Sequence, residues 1–555
     1  MTDSESELND VIIKKDARYV DFSPKNPYFN PRFSLTWSAY VRLIKSAFSV
    51  ATLTILSRIA GFVREMLQAH YFGAGAINDA LKLAIRIPSV FRRIFAEGAF
   101  NASFIPIFSK ILTSRGKKEA ISFAQNIFSI LAISLSILII LVEIFLPQFI
   151  SLLYPGLLKT PERLHYTIQF TRIMFPFLMF ISFTAFFSGI LNSFERFVAA
   201  ASSPVAGNLA IIGALLYLTP HLDNTGEAFA WGVFLCGLVQ VLWVFAPCSL
   251  KVAFIVPKNP KLTKDVRTFF QKMIPAALGS GIVQINLFLD MMIGSFLPTG
   301  GISYMGYADR LNQLPLSTIG IAISTALLPL LSKQIRKNQL QAAQHSQTLA
   351  IEFALSLAMP AFIGLILLAP FLIENIFQHG KFRPEDVMPT AHTLIAFASG
   401  LPAYVLLKVI STSFFAQGDT KNPMIVAGIC LTLNVVLNLL FIKPLAYVGL
   451  ALATSISAWV NLVILTVILR RKGFFKFDKN LQESLYRIGL VSALFFIFLY
   501  ACKVPLLTFL SEISTNRLWL LGSMVTLSVG AYLLIAYPLK VLHWKDLKRR
   551  LDTDI

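Results

Sequence analysis

The chain has 555 residues, 55% of them hydrophobic and 14% charged, with a mean hydropathy of +0.67. Soluble domains carry about a quarter charged residues, so this composition excludes a water-soluble globular protein. The formal net charge of +20 would point to nucleic acid in a soluble chain; here the basic residues fall in short loops between apolar runs, so membrane topology accounts for them and no nucleic-acid partner is expected.

Residues 1–43 are polar and precede any long apolar run. No apolar stretch runs into a small-residue cleavage site, so they are expected to form a cytoplasmic extension rather than a signal peptide. Apolar runs of roughly 20 residues then recur, the length that crosses a bilayer as a helix. They predict about fourteen transmembrane helices, near 44–69, 77–98, 121–150, 166–193, 198–219, 226–247, 268–297, 301–331, 347–377, 388–416, 421–442, 445–470, 483–503 and 517–541. The fold class is all-α and polytopic, because barrel strands would alternate in shorter segments.

Several spans hold charges that lipid would reject. The first reads "TILSRIAGFVREMLQ" and carries Arg58 and Arg64. The second carries Asp79, Lys82 and Arg86, followed by Arg92, Arg93 and Glu97. The eighth carries Asp309 and Arg310 in "YMGYADRLNQLP". An Arg or Lys at a helix centre costs about 2.5–3.5 kcal/mol on insertion scales, so these residues should face a water-filled cavity or snorkel to its rim. A cationic cavity implies an anionic substrate, and guanidinium is the bidentate partner of phosphate. Some of these arginines, Arg92 and Arg93 above all, could equally be cytoplasmic anchors.

A second polar group sits deeper. Asp290 lies in the seventh span, Asn434 and Asn438 share one face of the eleventh, and Thr454 lies in the twelfth. Interhelical hydrogen bonding is the first reading of such residues in a membrane, and their oxygens are, as the second, a donor set for sodium. The cysteines, Cys236, Cys248, Cys430 and Cys502, form no CxxC pair and lie in or beside apolar segments. His379, in "FQHGKF", reads as a loop residue. No Walker A loop, HExxH or nucleophile elbow occurs, so the chain reads as a transporter and not an enzyme.

Lys and Arg are dense before the first span and after the second, sixth, eighth, twelfth and last, while the alternate loops are poor in them. Positive-inside then places both termini in the cytoplasm. An internal repeat is visible: "FIPIFSK" at 104–110 matches "LLPLLSK" at 327–333, and "FLPQFISLLYPG" at 145–156 resembles "LAPFLIENIFQHG" at 368–380, with Pro106/Pro329 and Pro147/Pro370 each 223 residues apart. Pro204 and Pro423 are a third pair, 219 apart. Six helices per repeat preserve orientation, so the halves should be parallel repeats with the substrate path between them. The expected organisation is the extension (1–43), a first lobe of spans one to six (44–250), a second of spans seven to twelve (251–475), and the last two spans with a cytoplasmic tail (476–555).

At "SRIAGFVRE", "YFGAGAINDA" and "RIPSVFRRIFAEGAFNASFIPIFSK" the sequence closely resembles the MurJ (MviN) family of lipid II flippases, and "YADRLNQLPLSTIGIAISTALLPLLSK" and "FQHGKF" extend the resemblance over roughly residues 45–540. That family lies in the superfamily of multidrug, oligosaccharidyl-lipid and polysaccharide exporters. The resemblance implies a multi-pass bacterial inner-membrane protein, acting as a monomer, that moves lipid II from the inner to the outer leaflet for peptidoglycan synthesis by alternating access. It implies that Arg58, Arg64, Arg92 and Arg310 clamp the pyrophosphate, that Asp79, Glu97 and Asp309 support the cavity, and that Asp290, Asn434, Asn438 and Thr454 form a sodium site. The last two helices would line a groove for the polyprenyl tail, and cell-wall synthesis or division proteins would be partners. Three positions depart from the pattern: Glu65 stands where Asp is expected, Lys82 replaces an apolar residue and is expected to pair with Asp79 three positions earlier, and Gln313 stands where some members carry Glu. A flippase for another polyprenyl-linked glycan, or a non-transporting scaffold of the cell-wall machinery, are the alternatives.

Overall fold

The computed structural model describes residues 31–93, 100–513, 516–539 and 541. Among these residues there is no strand. The helices, in chain order, are α1 (Pro31–Phe72), α2 (Ala76–Phe91), α3 (Phe100–Arg115), α4 (Lys117–Ile144), α5 (Leu146–Leu153), α6 (Pro161–Met174), α7 (Phe177–Ser193), α8 (Phe197–Leu218), α9 (Thr225–Lys251) and α10 (Lys264–Gly294). They continue as α11 (Gly301–Pro315), α12 (Ile321–Arg336), α13 (Leu340–Leu367), α14 (Ala369–Phe377), α15 (Pro384–Ala398), α16 (Leu401–Ala416), α17 (Lys421–Arg471), α18 (Lys479–Ile513) and α19 (Arg517–Ala536).

Ten segments among the described residues are long and apolar enough to cross a membrane, with α17 counted once. α17 is two spans in one: after Pro444 the chain bends at Ala446, whose φ of 46° and ψ of −126° leave the helical region. α1, α2 and α10 are outside that set of ten, and they hold much of the buried charge described below. The outward faces are apolar. On α4, Ile133, Ile137, Ile140 and Ile144 are exposed at spacings of three and four, one stripe of a helix that meets hydrocarbon. The protein is a multi-pass helical membrane protein.

Two stretches differ from the sequence expectation. The first helix begins at Pro31, so part of the expected extension is helical. The expected end of the second span near 98 lies outside the described residues; α2 runs to Phe91, and a further helix, Phe100–Arg115, fills a stretch expected to be loop. In the second half, α11, a π turn at Leu316–Gly320 and α12 form one continuous broken helix. A π turn also follows α2 at Arg92 and Arg93, at the corresponding place in the repeat. Local π geometry of this kind re-aims side chains and gathers at functional sites.

The repeat is built into the helix bounds. α4, α5 and α6 start at Lys117, Leu146 and Pro161; α13, α14 and α15 start at Leu340, Ala369 and Pro384, each 223 residues later. In the first half, Phe104 stacks between Phe100, Phe108 and Phe123, with Phe186 and Phe269 against it. Phe269 belongs to α10, whose first turns therefore pack on the core of the first half, while its far end meets α17. In the second half, α12, α13, α16 and the end of α17 enclose the matching core around Leu327, Ala354, Val409 and Leu465. α18 and α19 pack on α13 and α14 through Phe495, Met524 and Tyr532, whose hydroxyl donates to the Ser356 carbonyl at 2.6 Å.

Loops fall at two opposite ends. At one, Arg115 pairs with Asp265 at 2.7 Å, Gln344 donates to the Gly473 carbonyl at 2.6 Å, and Lys472 pairs with Asp419. Asp419 is held at about 2, first by the hydrogen bond from Lys472, so this tie is intact throughout the physiological range and is lost only as pH falls through that value. At the other end, Lys381 N–H donates to the His70 carbonyl at 2.8 Å, Gly156 N–H donates to Ser295 Oγ at 3.1 Å, and Arg517 donates to the Gln378 carbonyl.

Phe104 is completely buried at the centre of its ring cluster. Phe104→Ala is expected to cost about 3 kcal/mol, the low end of the Phe→Ala range because lipid rather than water competes for the chain. Thermal unfolding in detergent should show a lowered midpoint, with Phe104→Leu far milder; equal midpoints for all three proteins would contradict the packing account.

Candidate functional site

A polar stripe climbs α1. Arg58, Gly61, Glu65 and Gln68 recur at spacings of three and four and so share a face. Exposure falls along the stripe. Arg58 is exposed, the Arg64 and Glu65 side chains retain 20% and 12%, and Gln68 is buried. The stripe faces α2, α8 and the α11–α12 broken helix. Arg58 Nη1 donates to Ser317 Oγ at 2.8 Å, on the π turn of the other repeat. Arg310 lays its guanidinium over Gly61, where an added Cβ would stand 2.9 Å from Nη2. Gly61 is therefore the gap that lets a cation from the second half reach α1.

Arg64 Nη1 donates to Asn208 Oδ1 at 3.2 Å and Nη2 to Glu65 Oε1 at 3.1 Å. Lys82 Nζ meets the other Glu65 oxygen at 3.4 Å. Arg310 adds its charge to the same carboxylate. One anion is thus ringed by three cations, and it cannot neutralise them all. The Nε atoms of Arg64, Arg86 and Arg310 are buried and donate to no acceptor among the described residues. An unsatisfied buried donor costs on the order of 1–3 kcal/mol, more when charged, and an entering anion removes that cost. Arg92 is half-buried at the π turn that ends α2 and, like Arg64, lies close enough for its charge to act on Cys236 of α9. Asp309 accepts from Gln313 at 2.5 Å and feels the charge of Arg86, Arg310 and Lys82. Glu97 lies outside the described residues.

Asp79 does not join this group. It is 0% exposed, accepts from the Gly300 and Ser303 N–H groups at 2.8 and 2.9 Å and from Ser303 Oγ at 2.6 Å, and pairs with Arg163 at 3.5 Å. It caps the N-terminus of α11 from across the molecule, where a carboxylate complements the helix dipole. The expected Asp79–Lys82 pair is corrected accordingly: Asp79 is fully engaged here, and Lys82 turns to Glu65. Beside Asp79, Asn78 Nδ2 reaches the Gly73 carbonyl, Ser303 Oγ and Tyr307 Oη at 2.8–3.0 Å, and Tyr307 Oη donates to the same Gly73 carbonyl at 2.8 Å. Gly73, at φ +60°, stands so close to Lys381 that a Cβ would fall 2.2 Å from its carbonyl oxygen. These contacts seal one end of the meeting between the halves, while exposure grows toward Arg58 at the other.

The deeper group also converges. Asn438 Nδ2 donates to Asp290 Oδ1 at 2.9 Å and Asn434 Oδ1 at 3.1 Å, and Asn434 Nδ2 lies 3.5 Å from Thr454 Oγ1. Asn438 is completely buried, yet its Oδ1 accepts nothing among the described residues. Asp290, Asn438, Asn434 and Thr454 thus form one hydrogen-bonded chain with the Asn438 amide oxygen left over, and oxygen donors of this kind could hold a hard monovalent cation. No group of three or more His, Cys, Asp or Glu side chains that could hold a metal ion occurs among the described residues.

Sequence reasoning missed Arg163, Asn208, Ser303 and Tyr307. For Arg163 a signal existed, since it follows Lys159 at an end of the molecule that positive-inside keeps poor in basic residues.

The arrangement is that of a helical membrane carrier, two repeats that meet at a shared group of cations and are tied together at one end. The profile of the family described as lipid II flippase MurJ matches residues 68–530. A protein of Rickettsia prowazekii described as "Probable lipid II flippase MurJ" is 36% identical over 509 residues, 91% of this chain and 99% of its own. A namesake from Rhizobium meliloti is 36% identical over 505 residues, covering 89% and 94%. Among solved structures, a lipid II flippase MurJ in an inward closed conformation superposes with a TM-score of 0.73 at 27% identity, covering 90% of this chain and 99% of that one. An inward-facing multidrug transporter of the MATE family shares the fold, with a TM-score of 0.65 at 14% identity. This chain belongs to the MurJ family of lipid II flippases.

Removing one partner of a buried pair leaves the other charge uncompensated, at about 3–5 kcal/mol. Asp79→Ala should therefore lower the thermal midpoint sharply. Arg163→Ala added to it should recover part of the loss; additive losses in the double mutant would mean that the two side chains do not act as a pair.

Proposed function

We propose that this protein carries lipid II, the polyprenyl-pyrophosphate-linked peptidoglycan precursor, from the inner to the outer leaflet of the bacterial inner membrane. The observation that carries the reading is the meeting of Arg64 and Arg310, one from each half, around a single carboxylate, with buried guanidinium donors left over. A pyrophosphate supplies the missing negative charge and the planar acceptors that guanidinium prefers. Arg58, Arg64, Arg92 and Arg310 form the clamp, with Asp309 and Glu97 adjusting its charge. The end sealed around Asp79 is extracytoplasmic, and both termini lie in the cytoplasm, in keeping with the basic loops at the opposite end. The described state is then shut on the extracytoplasmic side. The apolar tail stays in lipid, along a groove beside α18 and α19. The protein works as a monomer, alongside cell-wall synthesis and division proteins.

The halves, spans one to six and seven to twelve, rock about an axis along the membrane normal. For this the ties at Asp79, Asn78 and Tyr307 must break, and contacts must form at the other end. Each net charge crossing the full membrane potential contributes about 2.3 kcal/mol per 100 mV, and a negative interior favours outward movement of an anion. Asp290, Asn434, Asn438 and Thr454 would hold sodium. Sodium would supply positive charge between α10 and α17, the helices that link the first core to the second half.

In a bacterium depleted of its own lipid II flippase, the wild-type chain should restore outer-leaflet lipid II by leaflet-specific labelling. Arg58→Ala and Arg310→Ala, expressed to equal level, should stay at background; normal flipping by either would sink the clamp. Restoration of a different polyprenyl-linked glycan, with lipid II unmoved, would reassign the substrate and keep the clamp.

A ligand that binds only the folded state adds about 2.7 kcal/mol at a hundredfold excess over its Kd. Sodium chloride, compared with an equal concentration of choline chloride, should therefore raise the thermal midpoint of the wild type. Asp290→Asn should respond identically to both salts; a sodium response retained in that variant would remove the cation from this site.

A further inference from the structure

Lys82 is a largely buried charge that the clamp leaves without a role. Its side chain is 12% exposed, and from α2 it touches two other helices. Nζ meets Glu65 Oε2 of α1 at 3.4 Å. The same ammonium lies over the Tyr307 ring of α11, 4.7 Å from its centroid. Its stem crosses Gly306, where an added Cβ would stand 2.7–2.8 Å from Cδ, Cε and Nζ. Gly306 thus leaves open the channel that a lysine from the first half occupies.

The two ends of this contact belong to different machinery. Glu65 is the shared counter-ion of Arg64, Arg310 and Lys82 in the cavity. Tyr307 is part of the seal, donating to the Gly73 carbonyl and accepting from Asn78. Lys82 lies between them, held by the carboxylate on one side and the ring face on the other. Cation–π attraction strengthens as the pair is desolvated, and it competes with the ion pair for a single ammonium.

We propose that Lys82 is a positioning residue that couples anion binding in the cavity to release of the seal. The inference rests on the pyrophosphate reading of the same cavity. When an anion takes Arg64 and Arg310, Glu65 loses two of its three cations and draws Lys82 toward α1. The ammonium then leaves the Tyr307 ring, and the seal loses a contact that bridges α2 and α11. An empty cavity keeps Glu65 shared among three cations, Lys82 on the ring and the end closed. Such a device makes opening conditional on cargo, because the anion gains its differential affinity for the open state through Glu65.

The experiment uses the full chain in nanodiscs, in a Cys502→Ser background, with spin labels at Gly75→Cys and Glu385→Cys. These positions flank an open groove of about 310 Å³ at the sealed end, and the other three cysteines are buried. Undecaprenyl pyrophosphate is the probe. The parent protein should bind it and shift the label distance to longer values. Lys82→Met should bind within threefold of the parent affinity but lose the shift, with flipping reduced at least tenfold. Lys82→Arg should restore part of both. A full shift in Lys82→Met would overturn the coupling, and so would loss of binding there, which would make Lys82 a direct ligand. Gly306→Ala, which forces the lysine stem aside, carries the same expectation should Lys82→Met fail to fold. Absence of binding by the parent protein would instead overturn the pyrophosphate reading itself.

Discussion

Hydrocarbon cannot solvate a charge, and the organisation of this protein depends on that constraint. Each intramembrane cation must find an anion, an aromatic face, a backbone oxygen or water. Arg163 finds Asp79 and the Leu297 carbonyl; Lys82 finds Glu65 and Tyr307; Arg64 finds Glu65 and Asn208. Arg64, Arg86, Arg163 and Arg310 each keep a buried Nε with no acceptor among the described residues. What separates the two ends is the supply of anions: Arg163 has the Asp79 carboxylate to itself, while Arg64, Arg310 and Lys82 share Glu65.

The same constraint shapes the backbone. Helices satisfy their own amides, so departures from helix need a substitute. The π turn at Leu316–Gly320 and the bend at Ala446 both occur inside long helices next to proline. The first presents Ser317 to Arg58, and the second separates the helix carrying Asn434 and Asn438 from the one carrying Thr454. Irregular backbone thus stands beside the polar groups, within protein and away from the lipid-facing stripes.

Much of this was legible in the sequence. Hydropathy revealed a polytopic helical protein, and the offset of 223 residues between prolines reappears in the starts of three helix pairs. Charges in spans one, two and eight announced a cavity, because a guanidinium in the middle of an apolar run needs water or a counter-charge beside it. Partner choice was not legible. Lys82 and Asp79 are three apart on one helix, a spacing that suggests a pair, yet each turns to a residue distant in sequence. Local spacing limits which residues can meet; it does not rank them against Ser303 or Glu65, which arrive only through packing. The π turns were hidden for a related reason, since their sequence carries ordinary helical residues around a proline.

The seal is chemically lopsided. Asp79 and Asn78 supply side chains, but many of the groups they meet or that lie beside them are main-chain atoms: the amides of Gly300 and Ser303 and the carbonyls of Gly73, Leu297 and His70. No substitution deletes a carbonyl. Mutational drift can therefore retune the resting position of the carrier mainly from one side, through a handful of polar side chains. Homologues set to different resting states should differ at those side chains while conserving the backbone path of the turns that face them.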